Sequence, residues 1–143
     1  ELNYISFYNK YKNEIDNKKP LFDGYMAHLY TDNMWNRTFY NKIQNLEGLP
    51  EDRDEIRKMK QSDFKIYNNK YIADTFKIDN IDTALKEIKK INEVSVTSED
   101  IQKVENFLNN QEKYVGQFKF HTEEELDKLM GDTVREYVNF IKM

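Results

Sequence analysis

Four glycines and two prolines punctuate 143 residues, and that scarcity constrains the chain more than any other feature. A β-rich fold needs many tight turns with residues at φ > 0, a conformation that glycine adopts without steric cost. A phosphate-cradling loop needs glycine for the same reason. With so few breakers, the chain reads as long uninterrupted elements. Ten Tyr, nine Phe and one Trp, together with twelve Ile, supply the side chains that pack them. The expectation is a mainly α fold, a single domain over 1–143 of five or six packed amphipathic helices. An α+β alternative keeps those helices and adds a small hairpin near 64–76 or a strand near 114–120.

Composition excludes several classes. A domain of about 150 residues buries about 68–70% of its unfolded surface, so neither a disulfide nor a metal is required for folding. Asp and Glu number 26 against 22 Lys and Arg, a net charge of −4 spread along the whole chain. No basic stripe is present, which disfavours nucleic acid as a partner. The absence of cysteine removes disulfides, thiolate nucleophiles and Cys-ligated zinc or iron–sulfur sites. No apolar run approaches the roughly 18–20 residues of a membrane span. Eighteen Lys against four Arg, with sixteen Asn, match the codon bias of an AT-rich genome. The chain opens on Glu1 without an initiator Met. That fits the mature part of an exported or surface protein, the favoured reading, and also a trimmed internal domain.

Along the chain, Leu2, Ile5, Tyr8, Tyr11 and Ile15 recur at helical spacing, with Asn17-Lys18-Lys19-Pro20 as the stop. A second helix runs from Asp23 to about Leu46. Its first face is Phe22, Met26, Leu29 and Tyr30, and its second half is marked by Trp35, Phe39, Ile43 and Leu46. The apolar phase slips near Thr31–Asn33, which predicts a kink or break there. Pro50 followed by Glu51 and Asp52 reads as the next helix start. Ile56, Met59, Phe64, Tyr67, Tyr71 and Ile78 continue that helix, in preference to a hairpin around Asn68-Asn69. Ile81, Leu85, Ile88 and Ile91 make a short helix with Asp79 as its cap. Thr97 or Ser98 caps a helix with face Ile101, Val104 and Leu108, extending towards Gln111 and Val115. Tyr114–Phe120 alternates as a strand does. Thr122 with Glu125 forms a capping box before Leu126, Met130, Val134, Tyr137 and Ile141.

The densest cluster of uncommon residues spans Asp23–Arg37. On a helix, His28 and Asp32 share a face at i and i+4, with Tyr25 one turn earlier. That spacing lets a carboxylate orient an imidazole for general-base chemistry, but no serine or cysteine nucleophile lies nearby. Trp, Tyr, Met and Arg are enriched at the centres of protein interfaces. Tyr25, His28, Tyr30, Trp35 and Arg37 are therefore the candidate protein-interaction patch, with core packing as the plain alternative. His121 before Glu123, Glu124 and Glu125 offers metal-ligating atoms, yet acids at a helix start answer to the helix dipole. No calcium loop, Walker loop, dinucleotide fingerprint, nucleophile elbow or His-Glu-x-x-His motif occurs.

The expectation that follows is a non-enzymatic helical domain that binds another protein, with no cofactor and no resident metal. Two alternatives stand beside it. One is an intracellular inhibitor or immunity-type protein that blocks a basic partner with an acidic face. The other is a small-molecule enzyme or ligand-binding domain centred on His28.

Overall fold

The computed structural model describes residues 3–72 and 75–142. Among these it contains seven α-helices, one 3-10 turn and no strand, so the fold is mainly α. In chain order the helices are α1 (Tyr4–Lys10), α2 (Lys12–Asp16), α3 (Pro20–Ile43), α4 (Arg53–Asn68), α5 (Ile81–Ile88), α6 (Ser98–Asn109) and α7 (Glu123–Lys142), with the 3-10 turn at Asn69–Tyr71.

The first expected helix divides at Tyr11, whose backbone leaves helical geometry at φ −115° and ψ 29°. Its buried face also differs from the one expected. Phe7, Tyr11 and Ile15 point inward, whereas Ile5 is exposed and Tyr8 half-buried. The larger Phe7 ring takes the core position, and the break at Tyr11 lets Ile15 follow it inward. Pro20 sits in the first turn of α3, where its missing N–H has no intrahelical partner to lose.

Helix α3 is continuous through Thr31–Asn33, without the expected break. The apolar phase slips there because the helix buries two different faces. Phe22, Met26 and Leu29 pack with Phe7, Tyr11, Ile15 and Ile91 in one cluster, against which Tyr137 and Phe140 of α7 also rest. Further along, Trp35 packs with Phe64, Tyr67, Leu126, Leu129 and Met130 in a second. Helix α7 likewise serves both clusters, one from each end.

Several helix starts shift by a residue or more. Helix α4 begins at Arg53 rather than with Pro50 at its first position, and Asp52 caps it, its Oδ1 accepting the Asp54 amide at 2.9 Å. Asn80 rather than Asp79 caps α5, accepting from Thr83 N at 3.0 Å. The α6 capping box joins Thr97 to Asp100. Thr122 Oγ1 accepts the Glu125 amide at 3.2 Å at the start of α7. On α7 the buried residues are Leu126, Leu129 and Thr133, and Val134 is exposed.

Neither β alternative is present among the described residues. Helix α4 gives way to the 3-10 turn at Asn69, short of Ile78, and residues 73–74 of the alternative hairpin lie outside the described residues. Residues 111–122 form no regular element and bend at Lys119–Phe120, and their backbone pairs with side chains instead of a neighbouring strand. Asn69 of the 3-10 turn accepts from Tyr114 N at 2.8 Å and donates to Tyr114 O at 2.9 Å. Asp63 of α4 accepts from the amides of Lys119, Phe120 and His121 at 2.6, 2.9 and 2.9 Å. Asn109 treats Phe76 as Asn69 treats Tyr114, accepting from its N–H at 2.6 Å and donating to its C=O at 2.9 Å. Amide and carboxylate side chains thus supply the backbone partners that a strand would otherwise provide.

Candidate functional site

The helical register of α3 brings His28 and Asp32 to one face, with Nε2 and Oδ2 3.4 Å apart. The His28 side chain is 62% exposed, and Tyr25 lies half-buried with its ring centroid 5.0 Å from Phe7. The remaining members of the patch diverge. Tyr30 is only 7% exposed and packs among Tyr4, Tyr137 and Phe140 at 5.0–5.7 Å between ring centroids. Trp35 stands edge-on to Phe64 at 5.1 Å and 6.0 Å from Tyr67, its indole N–H buried without a hydrogen-bond partner. Arg37 is exposed. His28, Arg37 and the rim of Tyr25 therefore face solvent, while Tyr30 belongs to the core and Trp35 is turned towards α4.

His121 is the other histidine, and it is buried. Its Nδ1 lies 3.3 Å from Asp63 Oδ2, and its ring is flanked by Phe39 and Phe64. With a carboxylate facing Nδ1, that nitrogen carries the proton, and Nε2 is left buried without a partner. The neighbouring acids turn elsewhere: Glu123 pairs with Lys70 at 2.6 Å and Glu125 pairs with Lys42. Among the described residues no three His, Asp or Glu side chains converge on a point where a metal could sit.

Around Lys70 a second polar network ties α4 to α7. Lys70 donates to Asp127 at 2.9 Å, and Tyr67 donates to the same Asp127 oxygen at 2.9 Å. Hydrogen bonds from Lys70 and then Tyr67 hold the Asp127 carboxyl below its usual range. Burial, reinforced by hydrogen bonds to Tyr71 and Asp127, pushes the Tyr67 hydroxyl well above its own. This network joins structural elements and lies away from any deep cavity.

The most prominent apolar surface lies where the end of α4, the end of α6 and the start of the segment 111–122 meet. Phe107 is 67% exposed and Val115 is 92% exposed. Both line a groove of about 640 Å³ that also takes in Ile72, Tyr114, Asn69 and Lys65. Tyr71, Val104 and Phe76 are exposed as well. Val104 was expected on the core face with Ile101 and Leu108, but Ile101 is the buried member of that stripe.

Compared with known families, curated proteins and solved structures, the chain matches none.

The sequence reading missed Phe107 and Val115. A signal was present for the first: Val104 and Phe107, at i and i+3, extend the Ile101–Leu108 stripe sideways. They make an apolar face wider than a short helix can bury. Val115 was expected at the far end of the α6 face or in a strand over 114–120, but α6 ends at Asn109 and no strand is present among the described residues.

Proposed function

We propose that this chain is a non-enzymatic helical domain that binds another protein, and that the groove beside Phe107 and Val115 is its docking surface. The observation that carries this reading is the exposure of an aromatic and a branched aliphatic side chain that line one groove. A soluble chain gains about 25 cal/mol for each Å² of apolar surface it removes from water. Side chains left this open are anchors available to a partner, and interface energy concentrates in a few such residues. The polar side chains of Lys65, Asn69 and Gln111 around them supply the rim that an interface needs. Of the residues on α3, His28 and Arg37 are accessible for contact, whereas Tyr30 and the Trp35 N–H are not.

The test places a photo-crosslinking side chain at position 107, at position 115 and at the distant exposed Asn13. The expected outcome is one protein captured from both groove positions and not from position 13. That protein, purified, should bind wild type and lose roughly 30-fold or more in affinity to Phe107→Asp, the scale of a single hot spot. Circular dichroism of the variant should be unchanged, because Phe107 packs little in the free chain. Equal binding by wild type and Phe107→Asp would move the docking surface elsewhere. Concentration-dependent sedimentation abolished by the same substitution would make the partner a second copy of this chain.

A further inference from the structure

On the opposite side of α4, between it and α3, lies a polar pocket of about 450 Å³ lined by Asn33, Asn36, Arg37, Tyr40 and Lys60. The four α3 residues fall at i, i+3, i+4 and i+7, the spacing that usually carries an apolar stripe against a neighbouring helix. Here every one of them is polar or carries a hydroxyl. No carboxylate lines the pocket, although acids outnumber bases in the chain.

Lys60 is unusual among the cations of this molecule, whereas Arg37 is exposed. Two lysines are half-buried, Lys42 and Lys60. Lys42 is neutralised by Glu125. Lys60 has no carboxylate within ion-pair distance among the described residues. Its ammonium donates to Asn36 Oδ1 at 3.1 Å and sits 5.2 Å from the Phe39 ring centroid, both neutral partners. Arg37 also lacks a carboxylate partner among the described residues. Lys60 is thus held in place by neutral groups while its charge stays uncompensated. Removing an ammonium partly from water without a counter-ion is unfavourable, and an anion in the pocket would offset it. Arg53 and Arg57 lie on the same face of α4 as Lys60, two turns and one turn earlier respectively, and Arg57 is paired with Asp54 at 3.1 Å. Three of the four arginines therefore stand on the two helices that form this cleft.

We propose that Asn33, Asn36, Arg37, Tyr40 and Lys60 form a binding site for a phosphate monoester group. Such a group carries a charge of about −1.5 to −2 at neutral pH and three strong acceptor oxygens. Two cations balance that charge, whereas a single carboxylate would leave one of them unmatched. The planar Arg37 guanidinium can offer two parallel N–H donors to two phosphate oxygens, and Lys60 acts as a point charge. With Asn36 Oδ1 taken by Lys60, the Asn36 amide nitrogen is left to donate, and the Tyr40 hydroxyl lies at the rim. The shallow polar walls read the phosphate and give little purchase to an apolar body attached to it. This site is separate from the Phe107 groove and does not depend on it.

Calorimetric titration of the intact chain at about 0.15 M salt tests the proposal with three probes: inorganic phosphate, a phosphoserine peptide and the same peptide unphosphorylated. Saturable binding of the first two and none of the third is expected. Arg37→Gln and Lys60→Gln should each weaken it roughly 10-fold or more, as loss of a charge-assisted contact does. Lys113→Gln, a surface change at the other groove, should leave it intact. Lys60→Met keeps an apolar stem of similar length and removes the ammonium with its hydrogen bond to Asn36, so it should match Lys60→Gln in binding while melting close to wild type. A phosphopeptide that binds far more tightly than free phosphate identifies a phosphorylated protein as the source; equal affinities identify a small phosphorylated molecule. Absence of saturable binding, or equal losses in Lys113→Gln, overturns the site.

Discussion

Lys18 has a φ of +52°, the one non-glycine residue in left-handed geometry among those described. It closes the turn between α2 and α3, where the Lys18 and Lys19 amides return to Ile15 O and Glu14 O at 2.9 and 3.0 Å. An L-residue held in that region costs about 1–2 kcal/mol, and glycine removes the clash at the price of greater freedom when unfolded. Lys18→Gly should therefore stabilise the fold by about 0.5–1 kcal/mol net. Urea denaturation reads the difference, and a lower midpoint would show that the Lys18 side chain contributes contacts beyond the turn. Gly116 poses the opposite constraint. A Cβ there would stand 2.9 Å from Cε1 of the Tyr114 ring, which would have to shift, whereas Ile66 Cδ1 of α4, at 3.6 Å, would be an ordinary contact.

At the scale of elements, the segment 111–122 is fastened to α4 by side chains rather than by a ladder, and Asp63 is the main fastening. It is fully buried and accepts three consecutive amides as well as facing His121 Nδ1. Asp63→Ala orphans those amides together, and the loss should reach about 3 kcal/mol or more, the scale of breaking a buried charged hydrogen-bond set. Asn69→Ala removes only the pair at Tyr114 and should cost about 1–2 kcal/mol. Native-state hydrogen exchange checks both: amides 119–121 should exchange faster in Asp63→Ala, with the helical amides of α3 changing only as global stability falls. Exchange at 119–121 unchanged beyond that global change would mean that packing of Phe118 and Phe120 holds the segment unaided. This fastening explains what was legible beforehand. The first face of α3 could be read because helical periodicity follows burial there. On α6 and α7 only Ile101 and Leu126 of the expected faces are buried, and Val104 and Val134 are exposed. The slip at Thr31–Asn33 suggested a break and marks a change of buried face in a continuous helix. The alternation of Tyr114–Phe120 suggested a strand, and none is present there among the described residues: the segment bends at Lys119–Phe120 so that three consecutive amides reach Asp63. The alternation could not indicate that Asn69 and Asp63, distant in sequence, would take the place of a strand. The candidate patch was half legible for a similar reason: register placed His28 beside Asp32, but only tertiary packing decides that Tyr30 turns inward and Phe107 outward.

For the whole molecule, the question is whether two apolar clusters make one cooperative unit. Helix α3 has 24 residues and α7 has 20, and each contributes to both clusters. At about 1.5 Å per residue, α3 is roughly 36 Å long, enough to span the full width of a small domain. A helix that loses its tertiary contacts over half its length is marginal in water, because isolated helices owe little stability to propensity alone. Loosening one cluster should therefore release the ends of α3 and α7 that belong to the other. Met26 and Leu126 provide matched probes, since each is fully buried at the centre of a different cluster. Met26→Ala and Leu126→Ala should each destabilise by about 2–5 kcal/mol. Trp35, the only tryptophan, belongs to the second cluster and reports its opening by fluorescence, while far-ultraviolet circular dichroism reports all helices together. The two melting curves should superimpose in wild type and in both variants, with the midpoint falling by roughly 10 °C. If Met26→Ala lowered the circular dichroism transition while Trp35 melted at the wild-type temperature, the clusters would be separate units. In that case α3 would be a tether between them and not a shared spine.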